Sequence, residues 1–505
     1  MGSFGSDVCD CCSSGNGCQH EKSRYRGGGL EDMNVSGKMK CTLLFVACVF
    51  LPSLFVSGCG GQEAEEVTLR VCNWEEYIDE GGWDEEELIE LEDGTKIFGE
   101  NNLADDFEEW YFEEYGERVK VEYSTFGTNE ELYNQITLGD VYDLACPSEY
   151  MIMKLMREGM LVPYSDDFKD VSQERNYYSK GVSPYISSVF DTLSINGENL
   201  NSYAAGYMWG LLGFVYNPDE VSEEDAAHWD LLLDRNYFRR ITIKDSVRDA
   251  YFAAIAINCY DEITDEAFVG SPDYHDRLSA ALNRTDPETV QAVEDILIDA
   301  KNNVYSFETD AGKADMVTGK VVANEQWSGD AVYTLNQADE DGMELCYSVP
   351  KEGTNLWFDG WVMLKRGIEQ DERKQRAAEA FVNYMSRPDN AIRNMYYIGY
   401  TSVISGGDSD LMFEYLNYCY GAGDDEEATV EYDDIDYFFS EDPTGDRYTV
   451  VTTEDQTKRQ LFAQYPPGSM VDRAVVMACF DDESNDRINR SWTNVRCFDL
   501  ERLLF

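Results

Sequence analysis

The strongest constraint on the fold is a regular alternation of β-like and helix-like segments, punctuated by glycines and capping residues. Residues 67–73 (VTLRVCN) and 118–124 (RVKVEYS) read as strands. Between them, Phe107, Trp110, Tyr111 and Tyr115 recur at helical spacing within 106–116. Thr128-Asn129-Glu130-Glu131 carries a capping-box pattern, and the helix it opens stops at Gly139. Residues 142–147 (YDLACP) read as a short buried strand, and 149–158 as a helix closed by Gly159. The alternation continues through 214–217, 241–244, a long helix around 286–302, and 319–324. This pattern belongs to an α/β protein with mainly parallel strand connections.

Charge narrows the function. The chain of 505 residues has 40 Lys plus Arg against 99 Asp plus Glu, a formal charge of −59. Phosphate binding needs clustered basic residues, so a nucleic-acid partner is excluded and a cationic one favoured. At ~100–200 residues per domain, the length allows two or three domains or lobes. Beyond residue 58 the histidines are His228 and His275, too few for a His-rich metal site or a His-based triad. Two strongly acidic stretches, 79–106 and 406–455, read as solvated insertions.

The N-terminus reads as an address. Lys38 and Lys40 precede an apolar run over 41–56, broken by Pro52. The run is shorter than the ~20 residues of a membrane span and suits a signal-peptide core. It ends in Val56-Ser57-Gly58-Cys59, which resembles a lipobox with Cys59 as the lipid-bearing residue. Residues 1–58 are therefore expected to be a cleaved leader, and 59–66 a flexible tether. The leader's Cys9, Cys11, Cys12 and Cys18 are irregularly spaced, and a start at Met33 or Met39 would omit them. The later cysteines are scattered without a CxxC pair, so no metal cluster is expected, and one or two disulfides fit an extracellular setting.

Several segments carry a family resemblance. Residues 70–78 (RVCNWEEYI) resemble the opening strand and turn of bacterial polyamine-binding proteins, the spermidine/putrescine receptors of ABC importers. The resemblance continues in order through 121–133 (VEYSTFGTNEELY), 142–150 (YDLACPSEY) and 157–161 (REGML). Tyr207-Met208-Trp209-Gly210, 213–217, 324–331 (NEQWSGDA), Trp357-Phe358-Asp359-Gly360 and 397–401 (YIGYT) complete it. It implies an α/β type II periplasmic-binding-protein fold, with two α/β lobes joined by a hinge around a ligand cleft. Lobe 1 is expected over 67–208 plus 360–455, and lobe 2 over 209–359 plus 456–505. The implied partners are a polyamine ligand, an ABC permease and the membrane through the Cys59 anchor. A monomer without cofactor or metal is expected.

A polyamine is a methylene chain carrying ammonium groups. Its site needs carboxylates for charge-assisted hydrogen bonds and aromatic faces for the methylenes. The resemblance assigns these roles to Trp74, Tyr77, Ser148, Tyr150, Asp249, Trp327, Trp357, Asp359 and Tyr400, with Asp359 as the main ammonium anchor. Glu75 stands where the family has a smaller polar residue and adds a candidate carboxylate. Ser246 replaces an acid found in some members, with Asp245 one residue earlier facing elsewhere, and Cys72 replaces a common tyrosine. Alternatives remain: a same-fold receptor for iron, a sugar or an anion, a secreted hydrolase, or a calcium-binding surface protein. No G-x-S-x-G, H-E-x-x-H or phosphate-cradling glycine motif supports an enzyme.

Overall fold

A computed structural model describes residues 66–369, 371–423, 428–442 and 447–497. The expected leader (1–58), anchor residue Cys59 and tether, through residue 65, lie outside the described residues.

Strand β1 (Val67–Trp74) buries Val67, Leu69 and Val71 and leaves Arg70 exposed, the two-residue period of a strand. Helix α1 (Leu103–Tyr115) is capped by Asn102 and ends at Gly116, whose φ of 67° is left-handed and favours glycine. Strand β2 (Val119–Phe126) pairs in parallel with β1, from Val67 opposite Val119 to Trp74 opposite Phe126. Thr128 caps α2 (Asn129–Leu138) by accepting a hydrogen bond from the Glu131 backbone N–H. Strand β3 (Leu144–Ala145) joins the other edge of β1, and α3 (Glu149–Arg157) follows.

Next comes β4 (Ala204–Tyr216), buried along its whole length. After it lie β5 (Ile241–Lys244), α4 (Val247–Asn258), α5 (Pro287–Asn303), β6 (Ser306–Glu308), β7 (Ala323–Trp327) and α6 (Ser328–Glu340). Strand β8 (Thr354–Leu364) is again wholly buried; α7 (Pro388–Ile398) and β9 (Thr401–Ser402) follow. The main path of a 12-stranded sheet runs β6–β5–β7–β4–β8–β3–β1–β2.

The expectation of mainly parallel connections needs correction. The flanks are parallel: β1 with β2 and β3, and β5 with β6 and β7. The centre is antiparallel, because β4 and β8 run against each other and against β7 and β3. Their apolar runs lack the alternation of a half-solvated strand, as burial on both faces requires. Along the second half of β4, Leu211 and Val215 pack in one hydrophobic core and Leu212, Phe214 and Tyr216 in a second, so the two faces of this strand serve two cores.

The acidic stretches also differ from expectation. Within 79–106, Trp83, Ile89, Leu91 and Ile97 are buried in the larger core. Arg393 of α7 fastens this segment, donating to Asp79 at 2.7 Å, to Asp106 at 2.8 Å and to the Asn101 carbonyl at 2.8 Å. Over 406–455, Met412, Leu416, Ile435, Phe438 and Val450 are buried, and Phe438 stacks on Trp209 of β4 at 5.4 Å. Both stretches are packed into the fold through these apolar residues, and each also buries an acid, Asp79 and Asp436. The seven described cysteines past the tether are all free thiols.

Candidate ligand-binding site

The site forms where the ends of β1 and β7 and the middle of β8 meet the first turns of α3, α4 and α6. Asp359 lies at a bulge in β8, between Asp359 and Gly360. A bulge re-aims a side chain that a regular ladder would send to one face. Its carboxylate is 7% exposed. It accepts hydrogen bonds from the Tyr77 hydroxyl at 2.9 Å and the Ser148 hydroxyl at 2.7 Å. Burial raises its pKa to about 6, against the donors Ser148, Tyr77 and Trp74, which lower it.

Ser148 is itself held. The Asn129 amide donates to the Ser148 hydroxyl at 3.0 Å and to the Tyr150 hydroxyl at 3.1 Å, while its carbonyl accepts from Ser148 N–H. Tyr150 makes no direct bond to Asp359; its hydroxyl donates to Glu130 and its ring lies under the Arg248 guanidinium at 4.8 Å.

Aromatic rings close around the acid. Tyr77 meets Tyr207 and Tyr400 edge-on at 5.5 and 5.2 Å, and Tyr400 meets Trp357 at 5.6 Å. Trp74 packs on Phe126 at 4.6 Å. The Trp357 indole N–H is buried without an acceptor, so packing sets its orientation, whereas the Trp74 indole is turned toward Asp359. A Cβ on Gly329 would collide with the Tyr400 ring, so only glycine at this position lets that ring lie against α6.

Asp249, in the first turn of α4, accepts from the Trp327 indole N–H at 3.2 Å. Burial raises its pKa, opposed by its bonds to Ser246 and Trp327. Ser246 caps α4, whereas Asp245 turns away to pair with Arg496 at 2.6 Å, as expected. Glu75 is exposed, and no hydrogen bond or ion pair joins it to these groups. The structure thus gathers Trp74, Tyr77, Ser148, Trp357, Asp359 and Tyr400. Asp249 and Trp327 form a neighbouring pair, Tyr150 is tied to Ser148 through Asn129, and Glu75 is exposed.

Three functional candidates went unread in the sequence. Glu149, 2% exposed, leaves one carboxylate oxygen without a partner. Burial, then the nearby Asp359 charge, lift its pKa to about 8. Its place in the first helical turn gave it an ordinary explanation, as an acid favoured by the helix dipole. Asp330, within the NEQWSGDA segment, accepts from the Tyr400 hydroxyl at 2.9 Å. Burial works to raise its pKa, but Lys244, Lys313 and Tyr400 outweigh it and hold the carboxylate below its ordinary value. Lys244 ends a strand, and no sequence signal marks it as buried.

Asp330 is paired with Lys244 and Lys313. Asp359, Glu149 and Asp249 have no ion pair among the described residues. A buried carboxylate without a cation is costly unless something positive arrives. The arrangement is a buried cluster of acids and rings that a cation would stabilise. No cluster of three or more potential metal ligands occurs among the described residues.

Fold and site together define a solute-receptor protein. Residues 102–408 match the profile of the family described as bacterial extracellular solute-binding protein, and the chain belongs to that family. The spermidine/putrescine-binding periplasmic protein of Salmonella typhimurium is 26% identical over 335 residues, covering 66% of this chain and 76% of that protein. The putrescine-binding periplasmic protein PotF of Escherichia coli is 25% identical over 350 residues, covering 67% and 78%. Among solved structures, the substrate-binding protein PotD of a Streptococcus pneumoniae spermidine/putrescine ABC transporter aligns with a TM-score of 0.55 at 24% identity. That alignment covers 85% of this chain and 99% of the other, and shows that the two share the periplasmic-binding fold.

Proposed function

We propose that this protein captures a polyamine outside the cytoplasm and delivers it to an ABC importer. The observation that carries the reading is three buried acids with no ion pair among the described residues: Asp359 among Tyr77, Tyr400 and Trp357, Asp249 beside Trp327, and Glu149 near Asp359, with the Arg248 charge acting on the last two acids. Putrescine or spermidine supplies what they lack: ammonium groups for the acids and methylenes for the rings. The names of the relatives support the same ligand class.

In this reading Asp359 is the principal anchor, positioned by Tyr77 and Ser148. Trp74, Trp357 and Tyr400 line the methylene path, and Asp249 with Trp327 marks its far end. Tyr150 supports Ser148 through Asn129, and Glu75 sits at the rim. Residues 67–208 plus 360–455 and 209–359 plus 456–505 act as the two lobes, closing on the ligand by a hinge. The ligand leaves chemically unchanged, as from a receptor rather than an enzyme. Cys59 anchors the monomeric chain to the membrane beside its permease.

Titration calorimetry tests the class. The folded protein is offered putrescine, spermidine, a neutral sugar, phosphate and ferric citrate. Saturable one-to-one binding of an amine, with heat absent for the others, is the expected result. Binding of the sugar, anion or iron with no response to amines would overturn it.

A further inference from the structure

Lys244 is the last residue of β5, and its side chain is 1% exposed. Lysine is almost never fully buried unless paired, so its surroundings call for explanation. Its ammonium donates to the Thr309 carbonyl at 2.9 Å and to Asp330 Oδ2 at 3.2 Å. It also stands 4.2 Å from the centre of the Trp327 ring. Carboxylate, carbonyl oxygen and indole face are the groups that a ligand ammonium would seek.

This ammonium is not remote from the candidate site. The indole that carries Lys244 on its face donates its N–H to Asp249. The carboxylate that pairs with Lys244 also accepts from Tyr400, whose ring touches Tyr77 and Trp357. Lys313 holds the second oxygen of Asp330 at 3.4 Å, so this acid is saturated by the protein's own charges. Two acids are left for a guest's charged ends: Asp249, bonded to Trp327, and Asp359, bonded to Tyr77; Glu149, raised to about 8 by burial, is protonated at neutral pH.

We propose that Lys244 is a built-in ammonium that fills the Asp330–Trp327 position and so restricts the site to guests with two charged ends, favouring a diamine over a triamine. The inference rests on the polyamine reading above and deepens it to ligand choice. A third ammonium would find neither a free carboxylate nor a free ring at that position, and would meet the charge of Lys244. One unit charge at ~10 Å and an effective dielectric near 20 changes affinity by about tenfold.

The test compares putrescine and spermidine by calorimetry on the wild-type protein and on Lys244→Met, whose unbranched side chain keeps much of the volume. Wild type should bind putrescine more tightly. In the variant, spermidine should gain about tenfold relative to putrescine. A wild type that prefers spermidine, or a folded variant with an unchanged ratio, overturns the inference and leaves the polyamine reading standing. Binding of neither amine by wild type removes both. The wild-type comparison decides the matter even if the variant fails to fold, which circular dichroism would show.

Discussion

Replacing Asp359 with asparagine should make the ligand-free protein more stable while destroying its affinity, a combination that no purely structural role for this acid would produce. Burial lifts the Asp359 carboxyl from its ordinary 3.8 to about 6 in the folded chain, against the pull of its hydroxyl donors. A lift of that size corresponds to roughly 3 kcal/mol against ionisation in the fold. The sign follows from linkage. Below 3.8 the acid is protonated in both states and imposes no penalty; the penalty grows with pH and is complete above about 6. Asparagine removes it but accommodates the Tyr77 and Ser148 hydroxyls less well, a loss of about 1 kcal/mol. The net gain at neutral pH is then ~1–2 kcal/mol, vanishing in acid. Ligand affinity should fall by ~2–5 kcal/mol, since a desolvated ammonium would lose its charged partner. Urea unfolding at neutral and acid pH, with calorimetric titration of putrescine and spermidine, reads both quantities. A variant that is less stable at neutral pH and binds both amines undiminished would refute the reasoning.

Affinity for a polyamine should rise with pH between about 6 and about 8, as Asp359 and then Glu149 give up protons to favour the bound cation. Calorimetry in buffers of different ionisation enthalpy would detect the released protons, and a flat profile across that range would contradict the assignment. Gly329→Ala should drive the Tyr400 ring off α6 and weaken binding by ~1–3 kcal/mol with little change in circular dichroism. Unchanged affinity would remove Tyr400 from the site. Arg393→Met should cost ~3–5 kcal/mol of stability by stranding the fully buried Asp79. Urea unfolding measures this loss, and amine affinity should hold near its wild-type value because Arg393 lies outside the binding chamber.

The sequence by itself determined the local grammar. The cap at Thr128, the stops at Gly116 and Gly139, and the strands β1, β2 and β5 follow from residue types that act within a few positions of each other. It also supplied the ordered segments that place Trp74, Tyr77, Ser148, Trp357, Asp359 and Tyr400 in one receptor family. Only the tertiary structure decided what those residues became. The antiparallel centre of the sheet was hidden because β4 and β8 are separated by more than a hundred residues and lack the alternation that would reveal a partner. The acidic stretches read as solvated because their charge outweighed a few scattered apolar side chains, whose anchor Arg393 is 314 positions from Asp79. Glu149 and Lys244 acquired their character from burial, which depends on every element packed around them and which no local pattern encodes.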